Sequence, residues 1–404
     1  MNEYYDEEYR DILGTEDDPI PLSRRVWLSW EDLRFREPKR RGFIGFQSPP
    51  KNYQDRLKGI WGGAGPGEMV ALLGESKSGK SLILKILAGI VEIKRGDLLS
   101  GRVLVNGYQR GERWRRMCVL VSESGEEYHG LLTVEEQLEF RARLCLPAKW
   151  TTKRRAKVID WALEALGLDF ERKNLVSRLG HCERRRLAIA LALVGLPRVL
   201  LLDEPLEGLY PSRALELMKS LKRLTAQRQM TTIFSAKQIR QASIPLVDRI
   251  LLLAEGTTIY YGSFSGAPRY FESHLSALIP EKGDNPLSSM LDAISCLECR
   301  RNPNHVELMA QKWESYAEEH QLHRTNYPYD QNNDHEHFDW HRGWFAEFYE
   351  QMGRSWKLFI RNRTYWIGQT ALALSLALLV AFSAFQVGNE DDDDESLRAV
   401  MTVL

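Results

Sequence analysis

The sequence predicts an α/β fold, a mainly parallel sheet with helices on both faces. Three observations carry this. Short apolar runs at Glu68–Leu73, Met117–Val121, Val199–Leu202, Thr231–Ser235 and Arg249–Leu253 alternate with helical stretches, as parallel strands joined by crossover helices do. The first run leads into Gly74-Glu75-Ser76-Lys77-Ser78-Gly79-Lys80-Ser81, which fits G-x-x-x-x-G-K-[ST] at every fixed position. The run at Val199–Leu202 ends in Asp203-Glu204. Both motifs therefore fall at the carboxyl ends of strands, where such sheets bind ligands.

The chain has 404 residues, room for two or three domains. Lys plus Arg and Asp plus Glu are each 55, so no bulk charge argues for nucleic acid. Five cysteines, at 118, 145, 182, 296 and 299, are odd in number and scattered. With a nucleotide motif and no signal-peptide pattern, they fit a reducing cytosolic face better than a disulfide framework. Cys296 and Cys299 make a lone C-x-x-C, read as a helix surface with two thiols rather than a metal or redox site.

In chain order, residues 1–25 read as an acidic, disordered tail, with eight acids against one Arg in the first 18 positions. Val26–Phe35 has strand character, Glu37–Lys51 is a basic loop, and Leu57–Glu68 leads through turns into the strand before the glycine loop. Leu82–Gly89 is the helix that follows the loop. Strands at Gly101–Asn106 and Met117–Val121 come next, then a helix capped by Thr133 with Glu136 three residues on. A basic-faced helical region runs to about Gly167, and another helix spans Glu183–Val194.

Gly74 and Gly79 reach backbone angles closed to other residues, letting the loop turn N–H groups toward phosphate oxygens. The helix start adds partial positive charge on the same side. Lys80 is expected to reach the β- and γ-phosphates and Ser81 to hold Mg²⁺ through its hydroxyl. Glu75, Ser76, Lys77 and Ser78 supply the rest of the cradle. Asp203 completes the Mg²⁺ site, and Glu204 is the candidate base that polarises attacking water. The implied cofactors are ATP and Mg²⁺.

These residues resemble the ATP-binding domain of ABC transporters, and within them the G-type (white and pleiotropic drug resistance) group. The resemblance runs from about Val26 to the C-terminus. It rests on Gly74–Ser81, Leu132-Thr133-Val134, Leu200–Pro205, Glu207-Gly208-Leu209, Tyr260-Tyr261-Gly262, Asn285-Pro286 and Leu291-Asp292. It implies a P-loop NTPase of the ABC type, with an antiparallel β subdomain and a helical subdomain added to the main sheet. It also implies that Phe35 lies against adenine.

Four family motifs are altered. The signature Leu-Ser-Gly-Gly-Glu, which seals a partner's ATP, reads Leu179-Gly180-His181-Cys182-Glu183. The glutamine expected after Met117–Val121 is absent, and Ser122-Glu123-Ser124 stand there. Lys237 falls at the position of the γ-phosphate-switch histidine, and Tyr210 replaces an aspartate. Lys237 offers charge to a γ-phosphate but lacks the imidazole's geometry and near-neutral titration. Nucleotide binding should survive these changes. Hydrolysis, which needs aligned water and phosphate, should be slow.

Residues 26–295 are expected to form the nucleotide domain and 296–342 a polar linker. Within that linker, His335-Glu336-His337 is conceivable as a metal site but reads by default as hydrated chain. Residues 343–363 form an amphipathic connecting helix, with aromatic residues for the membrane interface and Arg354, Lys357, Arg361 and Arg363 for lipid headgroups. Residues 364–387 are long and apolar enough to span a bilayer, and the flanking arginines keep the nucleotide domain cytosolic. Residues 388–404 form an acidic external loop and the start of another apolar run, so the sequence reads as a truncated product or a piece of a longer one.

The expected partners are a second ABC nucleotide-binding domain and a lipid membrane, without nucleic acid. The expected function is the ATP-binding half of a G-type transporter, coupling ATP binding or hydrolysis to substrate movement. The rival is a membrane-anchored ATP-binding subunit that transports nothing and modulates a competent partner. A soluble P-loop enzyme such as a kinase fits Leu132–Val134 and Tyr365–Val387 poorly.

Overall fold

The computed structural model describes residues 25–38, 53–111, 114–122, 129–148, 150–274, 305–320 and 343–388. The readings of the acidic tail, the basic loop, Glu123-Ser124, Asn285-Pro286, Leu291-Asp292, the C-x-x-C pair, His335-Glu336-His337 and the acidic run after residue 388 lie outside the described residues.

Six strands build the main sheet: β3 (Met69–Leu73), β6 (Cys118–Val121), β7 (Val199–Leu202), β8 (Thr231–Ala236), β9 (Arg249–Ala254) and β10 (Thr257–Ser263). Their order is β10-β9-β3-β8-β7-β6, parallel except for the β9–β10 hairpin. Every residue of β3, β7 and β8 is buried, as expected when helices cover both faces of a parallel sheet. The helices include α1 (Lys80–Ala88) and α6 (Pro211–Arg228). α6 buries Ala214, Leu217, Met218, Leu221 and Leu224, one stripe at helical spacing.

A second, antiparallel sheet has the order β2-β1-β4-β5, from β1 (Leu28–Pro38), β2 (Tyr53–Ala64), β4 (Leu98–Val105) and β5 (Tyr108–Gln109). Residues 57–64, read from sequence as turns, are the second half of β2. Their glycines serve close packing instead: a Cβ on Gly62 would lie 2.8 Å from the Trp30 ring. β10 also escaped the sequence reading as a strand. Its hairpin turns at Glu255-Gly256, both at positive φ (46° and 78°), where the usual signal is Asn-Gly.

The helical subdomain comprises α3 (Val134–Cys145), α4 (Thr152–Leu166) and α5 (His181–Val194). The expected cap is formed reciprocally: the Thr133 hydroxyl accepts from Glu136 N–H, and the Glu136 carboxylate accepts from Thr133 N–H. A short helix, α2 (Trp114–Met117), braces α1, because Trp114 Nε1 donates to Leu87 O at 2.6 Å. The Arg110 guanidinium donates to the neighbouring Ile86 carbonyl, placing positive charge at the carboxyl end of α1.

The stretch expected to be a polar linker contains α8 (His305–Glu319). It buries Met309, Trp313 and Ala317, a narrow stripe that polar neighbours obscure in the sequence. Trp313 lies 6.1 Å from Trp61, 5.1 Å from Tyr260 and 5.2 Å from Tyr270 of α7 (Ala267–His274), measured between ring centroids. α8 is thereby packed on β10.

Two further helices follow, α9 (Trp344–Arg361) and α10 (Arg363–Gly388). Over Arg363–Ser383, α10 is long and apolar enough to cross a membrane by length and composition, with mean hydropathy 1.7 and none of the span buried. Along α9, Trp344, Phe345, Tyr349 and Trp356 stand 62–70% exposed. Three of its bases, expected at lipid headgroups, instead face α3. Arg361 grips the Glu136 carboxylate with two bonds of 2.6 and 2.9 Å, Lys357 stands 3.7 Å from it, and Arg354 lies 4.3 Å over the Phe140 ring.

The hydrogen bond from Arg361 holds the Glu136 carboxyl down at about 2. A depressed folded value means the stabilisation is fully present above the ordinary glutamate value of about 4.3 and is lost as pH falls through 2. A double-mutant cycle of Glu136→Gln and Arg361→Gln, read by chemical unfolding, should give a coupling of about 1 kcal/mol at pH 7. It should shrink steadily below pH 4. A coupling absent at pH 7 would show that α9 is not fastened this way.

Candidate functional site

β3 ends at Leu73, and the loop Gly74–Gly79 follows in a space that only glycine fits at its two ends. A Cβ on Gly74 (φ 149°) would lie 2.2 Å from the Leu253 carbonyl oxygen of β9. One on Gly79 (φ 104°) would lie 2.6 Å from Leu57 Cδ2 of β2. Both sheets therefore close on the loop, and β2, missed as a strand, forms one of its walls. The turn at Gly256 adds a third tie, its N–H donating to Ser78 O at 3.2 Å.

Inside the loop, Lys80 is 3% exposed, and its amine donates to Gly74 O at 2.6 Å and Glu75 O at 2.7 Å. Burial pulls the Lys80 pKa down, while Glu204 and Asp203 pull it up. The Ser78 hydroxyl is buried and has no hydrogen-bond partner among the described residues. An ammonium and an unpaired hydroxyl buried beside a helix start suit phosphate oxygens. Ser81 Oγ donates to Asp203 Oδ1 at 2.9 Å, joining the two motifs across 122 residues of sequence. This hydroxyl and carboxylate make an all-oxygen set of the kind Mg²⁺ prefers.

At the end of β7, Glu204 turns out of the strand in the left-handed region (φ 46°), which is uncommon for a side-chain-bearing residue. Its N–H donates to Ser235 Oγ at 2.8 Å, and that hydroxyl donates to Asp203 Oδ1 at 2.6 Å. Glu204 is 8% exposed, and its Oε2 lacks a hydrogen bond among the described residues. Burial raises its pKa, and Lys237 opposes that rise. Lys237 Nζ lies 3.4 Å from Glu204 Oε2 and 2.9 Å from Glu207 Oε1. The candidate switch residue is thus brought to the candidate base, and Glu207 holds it there.

Phe35 is not placed as the resemblance implies. It points inward from β1, is 3% exposed and belongs to the hydrophobic core, so no ring face is open to adenine. Strand alternation decided this, since Arg34 and Arg36 take the outward positions. The altered signature lies at the start of α5. Leu179 is buried, and Gly180 is the N-cap without any side-chain bond. The Glu183 carboxylate folds back to 2.5 Å from where a Gly180 Cβ would stand. His181 packs over Gly208, where a Cβ would meet His181 Cε1 at 3.0 Å. Tyr210 stands at the N-cap position of α6 without a side-chain capping bond and is 79% exposed. At the Met117–Val121 strand end, Ser122 O accepts from Arg185 at 3.4 Å.

Sequence reasoning missed Ser235 as a site residue. The available signal was a serine at the carboxyl end of a buried strand beside the acidic pair.

A strand, glycine loop and helix joined through Ser81 to an acidic strand end define a P-loop nucleotide-binding domain. Known proteins narrow this. The ABC transporter family model matches residues 57–207. ABC transporter G family member 22 of Dictyostelium discoideum is 30% identical over 95% of this chain and 62% of its own length. Member 4 of the same organism is 31% identical over 85% of this chain and 43% of its own. Member 26 of Arabidopsis thaliana is 30% identical over 71% of this chain and 43% of its own. Among solved structures, cbiO1 from Clostridium perfringens, described as part of the ABC transporter complex cbiONQ, matches at 24% identity with a TM-score of 0.48. It covers 62% of this chain and 96% of that one. The chain carries an ATP-binding domain of the ABC transporter G-family type. It spans about 62% of the length of the first of those relatives and 43% of the next two.

Proposed function

We propose that this chain binds Mg²⁺-ATP and serves as the nucleotide-binding half of a G-family ABC transporter, coupling ATP to substrate movement across a membrane. The carrying observation is a phosphate loop that holds the buried Lys80 amine and the unpartnered Ser78 hydroxyl and runs into Ser81, which is bonded to Asp203. Lys80 and the loop hold the phosphates. Ser81 and Asp203 hold Mg²⁺, which when bound neutralises phosphate charge and orients the terminal phosphoryl group. α9 and α10 anchor the domain with the nucleotide on the cytosolic side. A second nucleotide-binding domain is the partner this reading implies, since the start of α5, which by the family resemblance faces a partner's ATP, is exposed beside Gly208 and Tyr210.

Turnover by the chain alone is slow. Glu204 is the base, but the Lys237 ammonium competes for its carboxylate, and Gly180–Cys182 lack the hydroxyl and the two small residues that close approach by a partner needs. The Lys237–Glu204 contact also favours a second reading, an ATP-binding regulatory subunit that modulates a competent partner. Transport assayed in vesicles, with this chain's Lys80 substituted, separates the two.

ATP hydrolysis by the purified chain, compared with its Glu204→Gln variant, tests the account of turnover. Both should be slow and within about threefold of each other, because the base is already engaged. Brisk hydrolysis that collapses on substitution would overturn it.

A further inference from the structure

Ser235 sits one residue from the end of β8, wholly buried, between the two acidic residues that end β7. Its single proton goes to Asp203 Oδ1 at 2.6 Å, and its oxygen accepts the Glu204 N–H at 2.8 Å. Donor and acceptor capacity are matched to these two neighbours, so the hydroxyl has one orientation that satisfies both.

Asp203 has a second donor, Ser81 Oγ at 2.9 Å on the same Oδ1. The two are not equivalent. A serine at the end of a phosphate loop shares its oxygen with the cation when Mg²⁺-nucleotide is bound, whereas the Ser235 hydroxyl, on a fully buried strand, is taken up by Asp203 and the Glu204 peptide. The same hydroxyl also fixes the peptide of Glu204 in a left-handed bend (φ 46°), a strained conformation that persists only when its surroundings hold it.

We infer that Ser235 is a positioning residue for both carboxylates: it orients Asp203 for Mg²⁺ and holds the backbone turn that presents Glu204. This rests on the Mg²⁺-ATP reading above. Outer-layer partners of this kind typically set metal affinity by 10–100-fold.

The test compares nucleotide affinity with and without the metal, using a fluorescent ATP analogue in excess Mg²⁺ and in EDTA. In the parent chain Mg²⁺ should tighten binding. In Ser235→Ala, affinity in EDTA should stay within about twofold, while the Mg²⁺ advantage falls about tenfold or more. Ser235→Thr keeps the hydroxyl and should retain most of the advantage. Should Ser235→Ala not fold, Ser235→Cys, close in size with a weak donor, should show an intermediate loss. Thr232→Val is the structural control. It removes another buried hydroxyl of β8, bonded to Thr225 Oγ1 at 2.7 Å, and should lower stability without moving the Mg²⁺ ratio. A full Mg²⁺ advantage in Ser235→Ala overturns the inference. A parent chain that binds nucleotide with no Mg²⁺ advantage overturns the Mg²⁺-ATP reading itself.

Discussion

Lys80→Ala is expected to weaken ATP binding at least about a hundredfold, some 2.8 kcal/mol, while the domain stays folded. The Lys80 amine is enclosed, with Gly74 O and Glu75 O as its hydrogen-bond acceptors at 2.6 and 2.7 Å. Burial already depresses its pKa, so the ammonium is held at a desolvation penalty that a polyphosphate relieves better than two neutral carbonyls do. Charge-assisted bonds contribute about 1.5–3 kcal/mol each, and at least one is lost outright. Folding is less sensitive. Alanine removes a buried charge along with its bonds and starts α1 as well as lysine does, so the unfolding midpoint should move little. Lys80→Arg separates charge from shape: its planar fork cannot occupy a point-charge site enclosed by loop carbonyls, and binding should fall nearly as far. Titration with a fluorescent ATP analogue checks both variants, and binding within threefold of the parent would remove Lys80 from the site.

What could be read from the sequence follows the range of each constraint. The glycine loop, the acidic strand end and the Thr133–Glu136 cap each lie within a few consecutive residues, so spacing alone reveals them. The side on which Phe35 falls was out of reach because it depends on which face of β1 packs into the core, and distant segments decide that. β2 failed because Gly62 looks like a turn residue until Trp30 is seen lying on it. α8 stayed hidden because three buried positions are few among charged neighbours. The long-range pairs were out of reach entirely. Arg361 and Glu136 are 225 residues apart, and Ser235 and Asp203 are 32 apart on neighbouring strands whose register no local pattern states.

Lys237 shows the same limit and leads to the other large expected effect. From sequence it is a histidine replaced by another cation; in the structure it is an ammonium set between Glu204 and Glu207, at 3.4 and 2.9 Å. Its charge opposes the burial that raises the Glu204 pKa, so it weakens the base as well as occupying it. Lys237→His would release Glu204 and supply a neutral donor near pH 7. That change alone leaves the start of α5 unsuited to a partner's nucleotide, so it is combined with Gly180→Ser, His181→Gly and Cys182→Gly. Serine in place of glycine at the N-cap should contribute only about a few tenths of a kcal/mol to α5, and the Glu183 carboxylate now lying 2.5 Å from the new Cβ can swing aside. Each glycine in the first turn costs up to about 1 kcal/mol, leaving the domain less stable than the parent. His181→Gly also clears the imidazole that covers Gly208. The fourfold variant should hydrolyse ATP at least about a hundredfold faster than the parent, the scale on which aligned polar groups act in such sites. With Lys237 gone, the Glu204 pKa moves further up, so the rate should climb with pH as that carboxyl loses its proton. Adding Glu204→Gln should return the rate to that of the parent. A folded, ATP-binding fourfold variant with no gain in rate would show that turnover is held down somewhere other than Lys237 and the start of α5.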